Sequence, residues 1–163
     1  MELYKLIVSG IMLVMMLASC GNADSSTEPE SKDPAAYSTS DTQRGDTDLK
    51  LEIAGTPVSV EWEDNEAVAA LKDLCSGSPL EIQLSMYGGF EQVGNIGLAL
   101  PRNDKETTTS PGDIVLYSGD KLVVFYGSNS WSYTRLGHIT DSAGHSMEEF
   151  LSESDVTIKL YIS

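Results

Sequence analysis

The sequence predicts a mainly β fold, a closed or nearly closed barrel with two short helices at its ends. Three observations favour this class: about eight short segments alternate apolar and polar residues, two segments have helical spacing, and turn-forming residues separate them. With 163 residues, of which 40% are hydrophobic and 21% charged, the chain is long enough for one folded domain with appendages.

The charge of the chain limits its partners. Its 25 acidic and 10 basic residues give a formal net charge of −15, and a field of this sign opposes binding to nucleic acid or to anionic lipid. Two cysteines are too few for a disulfide framework. The sequence contains no phosphate-binding loop and no dinucleotide fingerprint, so we expect neither a nucleic-acid partner nor a cofactor.

Residues 1–19 have the pattern of an export signal. Lys5 precedes an uncharged apolar run of 13 residues from Leu6 to Ala18, shorter than the roughly 20 residues that span a bilayer. The run ends in Leu17-Ala18-Ser19-Cys20, which resembles the bacterial lipobox. The resemblance implies cleavage before Cys20 and attachment of a diacylglyceryl group to its sulfur, which would anchor the protein to a membrane outside the cytoplasm. The alternative is an ordinary secretory signal with an incidental cysteine.

Residues 20–48 are predicted to be the lipid-anchored Cys20 followed by a flexible acidic linker. Between Gly21 and Asp48 there are seven acidic and two basic residues among Ser, Thr and Pro, with almost nothing apolar. Such a segment cannot bury enough surface to offset its chain entropy. An acidic tract that binds a cation or a partner is the alternative. The folded domain is therefore expected over residues 49–163.

The domain is predicted to begin with a β-hairpin and a helix. Residues 49–53 and 58–62 alternate apolar and polar side chains around a Gly55-Thr56-Pro57 turn. Asp64 is the expected N-cap of the helix, with Glu66 in its first turn. The apolar face of this helix is formed by Val68, Leu71 and Cys75, before Gly77 and Pro79 end it. Cys75 is therefore expected to be a buried core residue instead of a reactive thiol.

The remaining patterns predict six strands and a second short helix. The strands are expected at residues 80–86, 93–100, 113–117, 121–126, 133–139 and 155–162. Gly119-Asp120 indicates a type II′ hairpin, and residues 101–112 are expected to be a polar loop. Because residues 113–117 and 121–126 are apolar on both faces, these strands should be central and covered. Ser146 and Glu149 form a capping box that predicts the second helix.

Four strings, in this order, resemble the bacterial cyclophilin-like domain family: Asp64-Asn65-Glu66-Ala67, Pro111 to Tyr117, Ser132 to Ile139, and Asp155-Val156-Thr157. The resemblance covers roughly residues 49–163 and implies an eight-stranded cyclophilin-type barrel with two flanking helices. True cyclophilins are peptidyl-prolyl isomerases, and their site carries a Phe-His-Arg and a Gln-Gly-Gly-Asp string. Neither string occurs in this sequence, and Arg135 has different neighbours from the catalytic arginine. No catalytic residue is therefore predicted.

The strongest candidate for ligand binding is residues 129–135, which are rich in aromatic and hydroxyl groups. Trp131 and Tyr133 would supply contact area, and Arg135 could pair with a carboxylate. Tyr87 and Phe90, beside a double-glycine turn, are candidates for the opposite wall. The alternative is that Trp131 and Tyr133 pack across the barrel while Arg135 neutralises local acids.

Other chemistry has weaker support. His138, Asp141 and His145 could be metal ligands on a strand-to-helix loop, but two histidines and one acid without a further motif are a weak signal. No Gly-x-Ser-x-Gly elbow is present. We therefore expect a lipid-anchored, extracytoplasmic cyclophilin-like domain that binds a peptide or small ligand. A prolyl isomerase that assists exported proteins is the alternative, and a structural element of an envelope complex is a third possibility.

Overall fold

A computed structural model describes residues 48–163. The predicted signal peptide, Cys20 and nearly all of the predicted linker lie outside these residues. The described part contains nine strands and two helices: β1 Leu49–Ile53, β2 Thr56–Trp62, α1 Glu66–Cys75, β3 Leu80–Tyr87, β4 Glu91–Asn95, β5 Lys105–Thr108, β6 Asp113–Tyr117, β7 Lys121–Phe125, β8 Ser130–Asp141, α2 Met147–Leu151 and β9 Asp155–Ile162. Within residues 48–163, neither helix has the length and hydropathy of a membrane span.

Eight of the strands form a closed antiparallel barrel in the order β2-β1-β9-β3-β4-β7-β6-β8. The barrel closes because β2 also pairs with β8, where Val60 lies opposite Ile139. The long strand β8 pairs with three strands along its length. Its residues 130–133 pair with β5, residues 134–138 with β6 and residues 137–141 with β2. The predicted mainly β fold, with a closed eight-stranded barrel and two short helices, is confirmed.

The inner faces of the strands form one hydrophobic core with the two helices. Helix α1 buries Val68, Leu71 and Cys75 against it, as the spacing predicted, and α2 contributes Leu151. Strand β9 alternates as expected, with Val156, Ile158 and Leu160 buried. Burial raises the pKa of the Cys75 thiol, and this effect is larger than the lowering by the hydrogen bond from the Leu80 backbone. The interpretation of Cys75 as a core residue is confirmed.

The start of α1 differs by one residue from the prediction. The N-cap is Asn65 and not Asp64: its backbone is extended, and its side-chain oxygen accepts a hydrogen bond of 3.0 Å from the Val68 amide. The Asn65 side-chain amide also donates to the Arg135 carbonyl at 2.8 Å. A carboxylate at this position could not donate that second bond, which explains the preference for asparagine. The capping box of Ser146 and Glu149 at α2 is present as predicted.

Two predictions for residues 93–112 are wrong. The strand predicted at 93–100 is Glu91–Asn95; it ends there because Gly97 has a φ of +95° and donates to the Asn95 side chain at 2.7 Å. The polar loop predicted at 101–112 contains strand β5. All four β5 side chains are polar and none is fully buried, so this edge strand has no apolar alternation to detect.

The turn between β6 and β7 also differs in type. Both Ser118 and Gly119 have positive φ angles, of 54° and 87°. Positive φ at two successive positions is typical of a type I′ turn, whereas a type II′ turn has one. The hairpin itself is confirmed, with Tyr117 opposite Lys121.

Strands β6 and β7 are buried on both faces, as predicted. Their inward residues belong to the barrel core, while Val115, Val123 and Phe125 point outward. These three form a second cluster with Tyr133, and Phe90 and Val93 pack against it. We call these six residues the outer cluster. An apolar cluster on the outer face of a small barrel must be shielded from water by neighbouring residues. The residues that lie over the outer cluster form the candidate site.

Candidate ligand-binding site

A cavity of about 350 Å³ lies over the outer cluster. Val93 and Val123, which are directly paired on neighbouring strands, form its apolar floor. We call this cavity the outer pocket; its lining consists of Tyr87, Glu91, Val93, Tyr117, Lys121, Val123, Asn129, Trp131 and Tyr133. Three of its aromatic side chains are open to solvent, namely Tyr87 at 67%, Trp131 at 58% and Tyr117 at 41% exposure.

The aromatic side chains beneath and beside the pocket form a continuous series. Phe90 stacks on Phe125 with ring centroids 6.4 Å apart, and Phe125 meets the edge of Tyr133 at 5.7 Å. Tyr133 in turn meets Tyr117 at 6.1 Å, again edge to face. Such contacts add roughly 0.5–1.5 kcal/mol each beyond the area they bury. The base of the pocket is therefore fixed by packing before any ligand arrives.

The segment before β8 is fixed to a buried threonine. The Asn129 backbone amide donates to the Thr109 hydroxyl at 3.0 Å, and the Thr109 amide donates to the Asn129 carbonyl at 2.8 Å. The Asn129 side chain donates to the Tyr133 hydroxyl at 2.9 Å. Upstream, Gly127 lies so close to Phe90 that a Cβ there would be 2.6 Å from the Phe90 Cβ. This anchoring fixes the backbone that carries Trp131.

Glu91 is a buried carboxylic acid at one end of the outer pocket. It lies in β4 between Tyr87 of β3 and Phe125 of β7 and is only 6% exposed. Among residues 48–163 its Oε2 atom has no hydrogen-bond partner. Burial raises the pKa of Glu91 to about 7. The carboxyl group is thus held between its neutral and charged forms near neutral pH.

Lys121 lies at the other end of the outer pocket. It is paired with Tyr117 on one side and Asn95 on the other. Its ammonium group forms an ion pair of 2.7 Å with Asp120, so its charge is compensated at the rim. The pocket therefore has a carboxyl group at one end, a neutralised cation at the other, and an apolar and aromatic surface between them.

Arg135 does not reach the outer pocket. Its guanidinium donates to Asp113 at 3.0 Å and to Glu63 at 3.3 Å, and it lines a separate polar cavity of about 490 Å³. Burial raises the pKa of Asp113, but hydrogen bonds from His138 and Ser110 and the charge of Arg135 outweigh it and lower the pKa overall. Arg135 thus neutralises local acids, as the alternative interpretation expected.

The structure brings three of the five predicted binding residues together, namely Tyr87, Trp131 and Tyr133. Phe90 lies beneath them in the outer cluster and supports the pocket without lining it. The alternative for Tyr133 is right in part, since it is buried, but it packs on the outer face and not across the barrel interior.

The structure does not bring the candidate metal ligands His138, Asp141 and His145 together into a site. His138 lies 2.8 Å from Asp113 through its Nδ1 atom, and the His145 ring packs against Phe150 with centroids 4.8 Å apart. In the part of the chain that the structure describes, no group of three or more His, Cys, Asp or Glu side chains is placed to hold a metal ion.

Sequence reasoning missed Glu91, Tyr117 and Lys121. The sequence patterns assign Tyr117 and Lys121 only to covered strands and leave Glu91 outside the strand predicted at 93–100, so none of the three is singled out as a site residue. One sequence signal could have pointed to them, because residues 121–126 are apolar on both faces. A strand of this kind needs neighbouring residues to bury its outer face as well as its inner one. Glu91 is the residue paired with Phe125 of that segment, but the pairing of β4 with β7 is a long-range contact that local periodicity does not predict.

Comparison with known proteins identifies the family. Residues 51–161 match the model of the cyclophilin-like family, and this chain belongs to that family. A search of the curated proteins gives no match.

Among solved structures, the fold is similar to the hypothetical protein AF2241 from Archaeoglobus fulgidus. The TM-score is 0.52 at 14% sequence identity, and the match covers 69% of this chain and 92% of that one. A structure of McbB in complex with tryptophan aligns with a TM-score of 0.49 at 11% identity, over 70% of this chain and 44% of that one.

Proposed function

We propose that this cyclophilin-like domain is a binding module whose outer pocket takes a peptide or a small ligand. The observation that carries the proposal is the pocket itself: about 350 Å³ of concave space with an apolar floor, aromatic walls and a few polar groups. Ligand sites in proteins have this composition and begin at about this size.

The exposed aromatic side chains support the same proposal. Trp131 and Tyr87 are large and open to water, although neither is needed to fill the barrel core. Aromatic rings provide much contact area for little conformational entropy. Because Asn129 and Thr109 fix the backbone beside Trp131, a ligand would incur a smaller ordering cost on binding.

Prolyl isomerisation fits the geometry less well. Rotation about a prolyl bond is promoted by a cationic donor near the amide. The guanidinium of Arg135 is already engaged by Asp113 and Glu63, and the Lys121 ammonium by Asp120. A protease-coupled assay on a prolyl peptide separates the two functions. We expect no activity, and activity that is lost in Arg135→Ala would establish the enzyme.

The proposal includes a location. We propose that Cys20 is lipidated and that residues 21–48 tether the barrel to the outer side of a bacterial membrane. A flexible chain of 28 residues has a root-mean-square reach of roughly 30 Å, enough to lift a domain above the headgroups. Inhibition of lipoprotein signal cleavage by globomycin should leave a larger precursor. Unchanged gel mobility under that treatment would contradict the anchoring.

Ligand binding is tested with peptide and metabolite libraries and thermal unfolding. We expect a ligand that raises the melting temperature of the wild type and of Leu98→Ala, but not of Trp131→Ala. Leu98 is the matched control because it is also an exposed apolar residue, at 45%, and does not line the pocket. If neither library yields a ligand whose effect depends on Trp131, the outer pocket is not a binding site.

A further inference from the structure

Two buried carboxyl groups of the described domain have opposite surroundings. Asp113 accepts hydrogen bonds from Ser110, His138 and Arg135, so its charge is compensated within the protein. Glu91 is equally buried, yet its Oε2 has no partner among residues 48–163. A buried polar atom without a partner costs about 1–3 kcal/mol. This cost is unexplained if Glu91 serves only the fold.

No side chain in the outer pocket is placed to compensate the charge of Glu91. Lys121 is four positions further along the ladder, which corresponds to roughly 13 Å at a rise of about 3.3 Å per residue, and it is paired with Asp120. The titratable groups that face the carboxyl from the neighbouring strands are phenols. Tyr87 lies beside it on β3, Tyr133 contributes from β8, and Tyr117 borders Tyr133 from β6.

The phenol of Tyr133 stays neutral beside Glu91. Burial raises the pKa of Tyr133 first, and the negative charge of Glu91 raises it further. The Tyr133 oxygen is also occupied as the acceptor of the Asn129 amide. The carboxyl group therefore lies among aromatic rings, and the faces of such rings attract cations.

We propose that the outer pocket selects ligands that carry an organic ammonium group, which Glu91 binds as a carboxylate among Tyr87, Tyr133 and Trp131. This inference rests on the proposed function of the outer pocket. Aromatic side chains combined with an acid are the arrangement that proteins use for ammonium cations, and the apolar floor of Val93 and Val123 accommodates the hydrocarbon part. The net charge of −15 over the whole chain attracts cations to the protein.

A pH dependence follows from the same geometry. Burial raises the pKa of Glu91 to about 7 in the absence of ligand. The Glu91 carboxyl group is therefore more than half protonated below pH 7. An ammonium ligand binds the ionised form and so displaces a proton. Its affinity should rise between pH 5.5 and 8, with proton release below pH 7. A ligand carbonyl that accepts a hydrogen bond from the neutral acid would give the opposite sign.

The test uses the full-length protein in detergent micelles and three probes of similar shape: 2-phenylethylammonium, 2-phenylethanol and 3-phenylpropanoate. Isothermal titration calorimetry in buffers of different ionisation enthalpy measures both affinity and proton release. We expect the amine to bind at least tenfold more tightly than the alcohol, and the acid to bind most weakly. In Glu91→Gln the preference for the amine should fall below twofold, while Glu153→Gln, an exposed acid, should retain it.

The outcomes separate this inference from the proposed function. Equal binding of the amine and the alcohol to the wild type would overturn the cation selectivity and leave the pocket a ligand site. Absence of amine binding would also overturn it, whereas the proposed function fails only if the libraries give no Trp131-dependent ligand. Proton uptake in place of release would show that Glu91 acts as a neutral donor and would overturn the inference as well.

Discussion

The side-chain amide of Asn129 donates a hydrogen bond of 2.9 Å to the hydroxyl of Tyr133, four residues further along the chain. Because Asn129 is itself fixed to Thr109 through its backbone, this bond connects the segment before β8 to the aromatic base of the outer pocket. Tyr133 contacts both Phe125 and Tyr117. This hydrogen bond and the aromatic contacts together hold the Tyr133 ring in the wall of the pocket.

Substitution of Tyr133→Phe removes this hydrogen bond and keeps the ring. We expect a loss of about 1 kcal/mol in the free energy of unfolding, since intramolecular hydrogen bonds contribute roughly 0.5–1.5 kcal/mol. Urea denaturation measures it. Tyr161→Phe is the control, because the Tyr161 ring packs near Lys159 in β9 and does not line the outer pocket. Equal stability of Tyr133→Phe and wild type would show that the bond does not fix the ring.

Glu91→Gln should change how stability depends on pH. The pKa of Glu91 is about 7 in the folded protein against an ordinary 4.5, so the folded state binds more protons between these values. Stability of the wild type should therefore fall as pH rises from about 4.5 to 7, by up to about 3 kcal/mol at about 1.4 kcal/mol per pKa unit.

In Glu91→Gln this decline should disappear, and the variant should be the more stable protein at pH 8. Chemical denaturation at pH 5, 6, 7 and 8 measures the difference, with Glu153→Gln as the exposed control. Parallel curves for the wild type and Glu91→Gln would contradict the burial of an ionisable group at this position.

Asp113→Asn should have the opposite pH signature. The folded pKa of Asp113 is lowered overall, because its hydrogen bonds and Arg135 outweigh burial. Its contribution is present above the unfolded pKa of about 3.9 and is lost as pH falls through the folded value. We expect a loss of about 2 kcal/mol at pH 7 that shrinks below pH 4. Thermal unfolding measures it; a loss independent of pH would exclude the charge of Asp113 as its cause.

The order of the elements was predictable because each strong local pattern agrees with the fold. Alternation in residues 155–162 and the capping box at Ser146 both correspond to observed elements. The misses have physical causes. Strand β5 consists of polar edge residues, which leave no pattern, and the choice of Asn65 over Asp64 as N-cap depends on a hydrogen bond to the Arg135 carbonyl, 70 residues away.

The site was predictable only in part. Trp131 and Tyr133 were identifiable because they lie in a segment rich in aromatic and hydroxyl groups, and Tyr87 because it lies beside a double-glycine turn. Arg135 could not be assigned from sequence, because its ion pair with Asp113 depends on the pairing of β6 with β8. Glu91 could not be identified either, since a carboxylate at the start of a strand is usually hydrated. Its burial depends on its position between Tyr87 of β3 and Phe125 of β7, and the pairing of β4 with β7 is a long-range contact.

Gly94→Ala tests the close approach of β4 to β3 that places Glu91. A Cβ at Gly94 would lie 2.5 Å from Leu84 Cδ2 and 2.7 Å from the Gln83 carbonyl. We expect a loss of about 1–3 kcal/mol from overpacking, measured by urea denaturation. Gly77→Ala is the matched control, because nothing lies within 4 Å of its Cβ position. Equal stability of the two variants would show that β3 and β4 pack less closely.

The two tryptophans of the chain, Trp62 and Trp131, provide the most direct measurement of ligand binding at the outer pocket. The Trp62 indole donates to the Leu49 carbonyl at 2.7 Å and packs against the barrel core, whereas Trp131 lines the pocket. In proton–nitrogen correlation spectra of ¹⁵N-labelled protein, titration with 2-phenylethylammonium should shift the Trp131 indole signal and leave that of Trp62 in place. Movement of Trp62 alone, or of neither signal at millimolar ligand, would contradict binding of this amine at the outer pocket.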